Sequence, residues 1–336
     1  MQLLGGKIST LLVKNIEGSL AKSIKDLDFH EVEQKIEREY FYSQFFLEYS
    51  EKYFNCGQQL SFLVHDNTTV QAVALVYPID TQSITYFGLP IKIFFSDSVS
   101  ASSQKNINGL CTSHLESLVE KYRFNNMLID LSSSLGMSYY QVGTNLRYNI
   151  DSVVDLNLTE EELKLGVRKS YKSLINWGQK NLSMEIVDAV HGTKEQFDDF
   201  RNLHIQVAGR ETRSKDSWEC QYDSIKKNKG HLVLAKLNNE LVSGVLNLYG
   251  HEEVYYGVGV NRRDLMEQKI AIGHYPIWYS ILEAKKRNLK TYNLGCIGPT
   301  FHADKERDIA SFKKGFSPDL RISHSLSVTF GKPHDQ

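Results

Sequence analysis

Hydrophobic positions along the chain switch repeatedly between a period of two and a period near 3.6, so strands and helices alternate throughout. In the first half, Ile36 to Phe54 spaces Ile36, Tyr40, Phe41, Phe45, Leu47 and Tyr49 as one helix face would. Strand-like runs follow at Leu60–His65, Val70–Pro78 and Ser83–Phe87, the first two joined by the turn formers Asp66-Asn67. Ser103–Tyr122 predicts a helix with Ile107, Cys111, Leu115 and Leu118 on its apolar side. Met127–Leu131 and Ser152–Leu156 predict strands, with a helix at Tyr139–Leu146 between them. Ahead of all these, Ser9–Val13 reads as a strand and Ile16–Asp28 as a short helix.

The second half opens on a capping box, Thr159 with Glu162, in which side chains and backbone amides satisfy each other. The helix it starts is predicted to run to about Gln179, and Lys164, Arg168 and Lys172, four apart, would share one face of it. A strand at Ser183–Asp188 precedes a second capping box, Thr193 with Gln196, and a helix at Lys215–Lys229. Strands at His231–Leu237, Leu241–Tyr249 and Glu253–Val260 turn through Asn238-Asn239 and Gly250-His251. Helix Ile272–Arg287, strand Thr291–Leu294, a turn of helix at Asp308–Phe312 and strand Arg321–Phe330 complete the pattern. The two halves repeat an order of elements without repeating a sequence. The prediction is a mixed α/β fold of two tandem units, residues 1–158 and 159–336.

Bulk properties narrow the function classes. The chain has 336 residues, 41% hydrophobic and 24% charged, which is ordinary for globular domains with a sizeable core. A net charge of −1 argues against a protein dominated by nucleic-acid binding and leaves room for a local basic groove. Cys56, Cys111, Cys220 and Cys296 lie far apart, without a CxxC pair, so neither a disulfide framework nor a metal site is expected. No apolar run is long enough to span a bilayer, and the N-terminal stretch lacks the pattern of an export signal. The expected compartment is the cytoplasm.

The second half has the element order of the GNAT acyltransferase fold, and two such units joined by a helix resemble the FemAB family. The residues carrying the resemblance are Tyr86-Phe87-Gly88-Leu89-Pro90, the basic helix around Arg168 and Lys169, Tyr292-Asn293-Leu294-Gly295, and Phe312-Lys313 followed by Phe316. It implies two tandem GNAT-like units, each a mixed, mostly antiparallel sheet flanked by helices. It further implies transfer of an acyl or aminoacyl group, from acyl-CoA or aminoacyl-tRNA, to an amine on a phosphate-bearing cell-envelope precursor. Ordinary GNAT enzymes cradle the CoA pyrophosphate in a glycine-rich turn ahead of a helix. Here that segment, Asn261 to Gly273, holds a single glycine, which leans away from CoA as the near-neutral charge leans away from tRNA, so the donor stays open between the two.

Lys313 is the residue on which the resemblance places charge stabilisation of an acyl-transfer oxyanion, with Phe312 beside it. Arg168, Lys164 and Lys172 offer a phosphate clamp or a solvated helix face. Tyr255 and Tyr256 end a strand at the cleft, and alternation sends one toward the site and the other into the core. His274 begins a helix, as a general base or as a structural residue. Arg262 and Arg263 are candidates for donor phosphates, while Cys296 reads as buried packing. A rival reading is a non-catalytic module that binds a glycan or nucleotide-sugar precursor.

Overall fold

The computed structural model describes residues 11–16, 27–66, 68–131, 139, 144–298 and 304–330. The expected helix at Ile16–Asp28, most of that at Tyr139–Leu146 and the turn residue Asn67 lie outside the described residues. In chain order the first elements are β1 (Leu12–Asn15), α1 (His30–Arg38), a 3-10 turn (Tyr40–Tyr42), α2 (Gln44–Phe54), β2 (Phe62–His65), β3 (Val70–Leu75), β4 (Ser83–Ile84) and β5 (Lys92–Phe95). Next come α3 (Ala101–Tyr122), β6 (Asn126–Asp130), β7 (Thr144–Asp155), α4 (Glu160–Gly166), α5 (Lys169–Asn181), β8 (Ser183–Val187), α6 (Lys194–Ala208) and α7 (Lys215–Lys226). The last are β9 (Gly230–Leu237), β10 (Glu240–Tyr249), β11 (Glu253–Asn261), α8 (Arg263–Glu267), α9 (His274–Lys286), β12 (Thr291–Cys296), α10 (Asp304–Lys313) and β13 (Leu320–Thr329). Among the described residues no helix is long and apolar enough to cross a membrane.

The chain divides into two compact units. The first comprises residues 1–36, 54–148 and 324–336. Its antiparallel sheet runs β1-β2-β3-β5, and β6 pairs with β4 and with the last residues of β13. Helix α3 covers this core with Ile107, Cys111 and Leu115, all wholly buried. Ser100 caps the helix by accepting from the Ser103 amide, and Arg123 ends it in the left-handed region.

The second unit comprises residues 37–53 and 149–323. Strands β8, β9, β10 and β11 form an antiparallel run, β11 pairs in parallel with β12, and β12 pairs antiparallel with β7. Asn238 and Asn239, both at positive φ, make the β9–β10 turn, because short polar side chains tolerate that conformation. Both predicted capping boxes form, at Thr159/Glu162 and Thr193/Gln196.

Two helices predicted as continuous are broken. The one expected over Ile36–Phe54 is interrupted at Glu39 and Ser43, which are extended, and the Ser43 hydroxyl accepts from the Phe46 amide. The break turns Tyr40 into the core of the second unit, where it stacks on Tyr255 at 5.5 Å. The helix expected from Thr159 to Gln179 is interrupted at Val167 and Arg168, both with ψ near 135°. Val167 is drawn into the core, and the Arg168 amide donates to the Gly315 carbonyl. Burial of one branched residue there outweighs continuation of the backbone ladder.

Candidate active site

In the second unit, β11 and β12 pair in parallel over only three residues, Glu253 to Tyr255 against Thr291 to Asn293. Beyond that point β11 continues to Asn261 while β12 ends at Cys296, so the two strands part. The register of β12 on β7 also slips between Asn293 and Gly295. Gly295 has φ +83°, a conformation that glycine reaches without steric cost. A Cβ there would lie 3.1 Å from the Lys313 ammonium and 3.4 Å from the Tyr255 hydroxyl. The missing side chain is what lets the ammonium and the phenol approach the same strand.

Lys313 ends α10, and its ammonium donates to the Cys296 carbonyl at 3.2 Å. Burial lowers its pKa below the usual lysine value, while neighbouring Cys296 and Asp151 oppose the shift. Tyr255 stacks on Tyr40 and meets the edge of Phe41 at 4.6 Å. Burial pushes its phenol up to about 12, with nearby Asp151 and Cys296 adding to the effect, so at neutral pH it is a hydrogen-bond donor.

Opposite Cys296 on β7 stands Asp151, and directly paired antiparallel residues project on the same face. Its two carboxylate oxygens accept separately, Oδ1 from the Asn149 amide at 2.7 Å and Oδ2 from the Asn293 amide at 3.2 Å. Asn149 accepts from the Cys296 thiol at 2.8 Å, and Asn293 accepts from the Gly295 backbone at 2.7 Å. Among the described residues Lys313 and Asp151 feel each other's charge without forming an ion pair. Cys296 is exposed at this mouth, contrary to the buried packing role read from sequence, because the backbone turn at Gly295 carries it outward.

The other expected residues are distributed around this cluster. Tyr256 points to the face opposite Tyr255, packing with Tyr292 and Trp278, and its hydroxyl covers Gly259. Burial pushes its phenol up to about 12. His274, the first residue of α9, lies edge-on to Tyr171 at 4.4 Å and to Phe312 at 5.2 Å. Burial in that aromatic setting depresses its pKa to about 4, so the ring is neutral, and its Nδ1 has no hydrogen-bond partner among the described residues. Phe312 thus packs the ring wall that fixes the end of α10.

Arg168 donates to the Ser311 carbonyl at 3.0 Å and lies over the Tyr171 ring at 5.0 Å, which ties it to α10. Lys164 and Lys172 do not stack with it on one helix face, since the chain is extended between α4 and α5. Arg262 is engaged by Asp264 and by Glu240 at 2.8 Å, and those hydrogen bonds raise its pKa further. Arg263 stays exposed beside a cavity of about 310 Å³ that Gly209 also lines. Asp151 and Asn149 are not among the residues the sequence points to, and Asn293 enters there only within the stretch Tyr292 to Gly295 that carries the resemblance, with no role of its own. Strand alternation in β7 was the one available signal, and it does not reveal which strand lies across from Asp151.

No family model matches the sequence, and no curated protein does. Solved structures are similar in fold. FemX superposes with a TM-score of 0.62 at 13% identity, over 90% of this chain and 96% of that one. A tandem GNAT protein from the clavulanic acid biosynthesis pathway gives 0.52 at 9% identity, over 96% and 99%. L-PGS from Bacillus licheniformis gives 0.50 at 12% identity, over 76% and 80%. The chain therefore has the tandem GNAT fold that its resemblance to the FemAB family implied.

Proposed function

We propose that the protein is an N-acyltransferase or aminoacyltransferase whose reaction centre lies where β11 and β12 part. It moves an activated acyl or aminoacyl group onto an amine of a phosphate-bearing cell-wall or surface-polysaccharide precursor, in the cytoplasm. The observation that carries this reading is the Lys313 ammonium, held half-buried against Gly295 beside the Tyr255 phenol. A carbonyl seated there places its oxygen within reach of one cation and one neutral donor. Both bind the tetrahedral oxyanion more strongly than the ground-state carbonyl, which is the condition for accelerating the step.

The amine attacks directly, and the enzyme supplies proximity and charge stabilisation. The donor is acyl-CoA or aminoacyl-tRNA. Arg262 is already neutralised by Asp264 and Glu240, which leaves Arg263, Lys172, Lys164 and the free edge of Arg168 for substrate phosphates. Tyr256 and His274 shape the wall: Tyr256 packs on the face away from Tyr255, and His274 lies edge-on among Tyr171 and Phe312. Acetyl-CoA and alanyl-tRNA, each incubated with nucleotide-linked and lipid-linked muropeptides, test this by mass spectrometry of the acceptor. A mass gain on the acceptor amine that disappears in Lys313→Ala is expected. Precursor binding without transfer from either donor would overturn the enzyme reading in favour of a binding module.

A further inference from the structure

We infer that Asp151 is the group that receives the attacking amine and takes its proton, an inference that rests on the acyl-transfer reading above. Three observations converge on it. Asp151 lies directly across from Cys296, whose carbonyl holds the Lys313 ammonium, so carboxylate and ammonium share one mouth. Asp151 acts electrostatically on both the Lys313 ammonium and the Tyr255 phenol, yet no ion pair closes the space between Asp151 and Lys313 among the described residues. And the carboxylate is fixed from both sides by Asn149 and Asn293, while Asn293 in turn holds the Gly295 amide.

That last link matters most. One side chain, Asn293, positions both the strand turn that admits Lys313 and the carboxylate facing it. Asn149 spans from the Cys296 thiol to Asp151, which pins the other oxygen. Neither amide neutralises the charge, so the carboxylate keeps lone pairs for a cationic partner. An acceptor ammonium is attracted to Asp151 and repelled by Lys313, while a carbonyl oxygen has the opposite preference. The two groups therefore orient nucleophile and electrophile in opposite senses across one gap.

The step balances as follows in bonds and protons. The acceptor ammonium first passes one proton to the Asp151 carboxylate; the freed lone pair forms the C–N bond at the donor carbonyl carbon, and the carbonyl π electrons move to the oxygen held by Lys313 and Tyr255. The nitrogen, cationic again after attack, gives up its second proton to the departing carrier atom, and Asp151 returns the first to solvent. Collapse of the oxyanion breaks the bond to the carrier sulfur or ribose oxygen, which leaves with its electron pair and is protonated to thiol or hydroxyl.

The test compares wild type, Asp151→Asn and Lys313→Ala with two acceptors of different basicity, ethanolamine and trifluoroethylamine, at neutral pH. The donor is whichever of acetyl-CoA and alanyl-tRNA the wild type consumes. Asp151→Asn keeps the side-chain shape, and an unchanged melting temperature certifies its fold. It is expected to lose about 10²-fold in transfer to ethanolamine, which arrives as an ammonium, and far less to trifluoroethylamine, which arrives neutral. Lys313→Ala is expected to lose activity equally with both. Equal loss in Asp151→Asn with both amines, or no loss, overturns the role of Asp151 while leaving Lys313 and the acyl-transfer reading standing. Full activity in Lys313→Ala, or a wild type that uses neither donor, overturns the reading itself and the inference with it.

Discussion

The two units contain the same structural opportunity and treat it differently. In the first, Ile91, the residue just ahead of β5, makes an isolated parallel bridge to Ile129 of β6, and β5 itself pairs with β3 instead. The end of β5 is tied down by α1: Lys35 donates to the Phe95 carbonyl at 2.7 Å and pairs with Asp97, while Glu31 accepts from the Ser96 hydroxyl and the Asp97 amide. In the second, Lys313 from the end of α10 and Asp151 from β7 come to the mouth of the parted strands, with no ion pair between them among the described residues. Charges spent on each other hold a backbone in place. Charges kept apart across a gap remain available to a ligand, at the cost of the desolvation that lowers the lysine pKa. The fold supplies the parted strands; which charges are paired decides where chemistry is placed.

That contrast is open to direct attack. The largest expected effect is Lys313→Ala, which should reduce turnover by roughly 10²–10³-fold, as loss of one oxyanion donor does. Its counterpart, Lys35→Ala, should leave turnover unchanged and cost at most about 1 kcal/mol, since its ion pair with Asp97 is partly exposed. Steady-state kinetics and urea unfolding on both variants decide whether the asymmetry is functional.

A smaller effect is expected at the backbone. Gly295→Ala puts a methyl 3.1 Å from the Lys313 ammonium and forces alanine to φ +83°. The strain should cost about 1–2 kcal/mol and displace the lysine, with turnover falling by about tenfold. A crystal structure with Lys313 unmoved, or unchanged kinetics, would break the link between the glycine and the site.

Acid sensitivity should be graded and centred on the second unit. Burial holds His231 down to about 3 and His274 to about 4, whereas an unfolded chain protonates both near their ordinary value. Their contribution is fully present above about pH 6.5 and is lost as pH falls, because the unfolded state then binds the extra protons. Each adds a slope of about 1.4 kcal/mol per pH unit through that window. His231→Gln should flatten the slope of urea-derived stability between about pH 6.5 and pH 5. It should also lower stability at neutral pH by about 1–3 kcal/mol, since His231 bridges Tyr249 and Asn247 inside the core. A slope identical to wild type would show that His231 protonates freely in the folded state.

Much of the scaffold was legible from local pattern. Apolar spacing located α3 and α9, alternation located β9 to β11, and side-chain chemistry located both capping boxes and the Asn238-Asn239 turn. Where local pattern failed, a distant partner was responsible. Tyr40 leaves its helix to stack on Tyr255, and Val167 leaves its own to enter a core built from other segments. Strand β5 went unrecognised because Ile93 and Phe94 are both buried, so its residues do not alternate as a half-buried strand would.

The site divides along the same line. Sequence by itself determined the order of elements in the second half, the absence of a glycine-rich phosphate turn and the presence of a lysine after Phe312, all of which are properties of neighbouring residues. Only the tertiary structure decided that Lys313 meets Gly295 and Tyr255, that Cys296 is exposed and that Asp151 stands across from it. Those relations join residues as far apart as Asp151 and Cys296 through the register of β7 on β12 and the placement of α10. A register of that kind is set by the burial of whole strand faces, and no short stretch of chain encodes it.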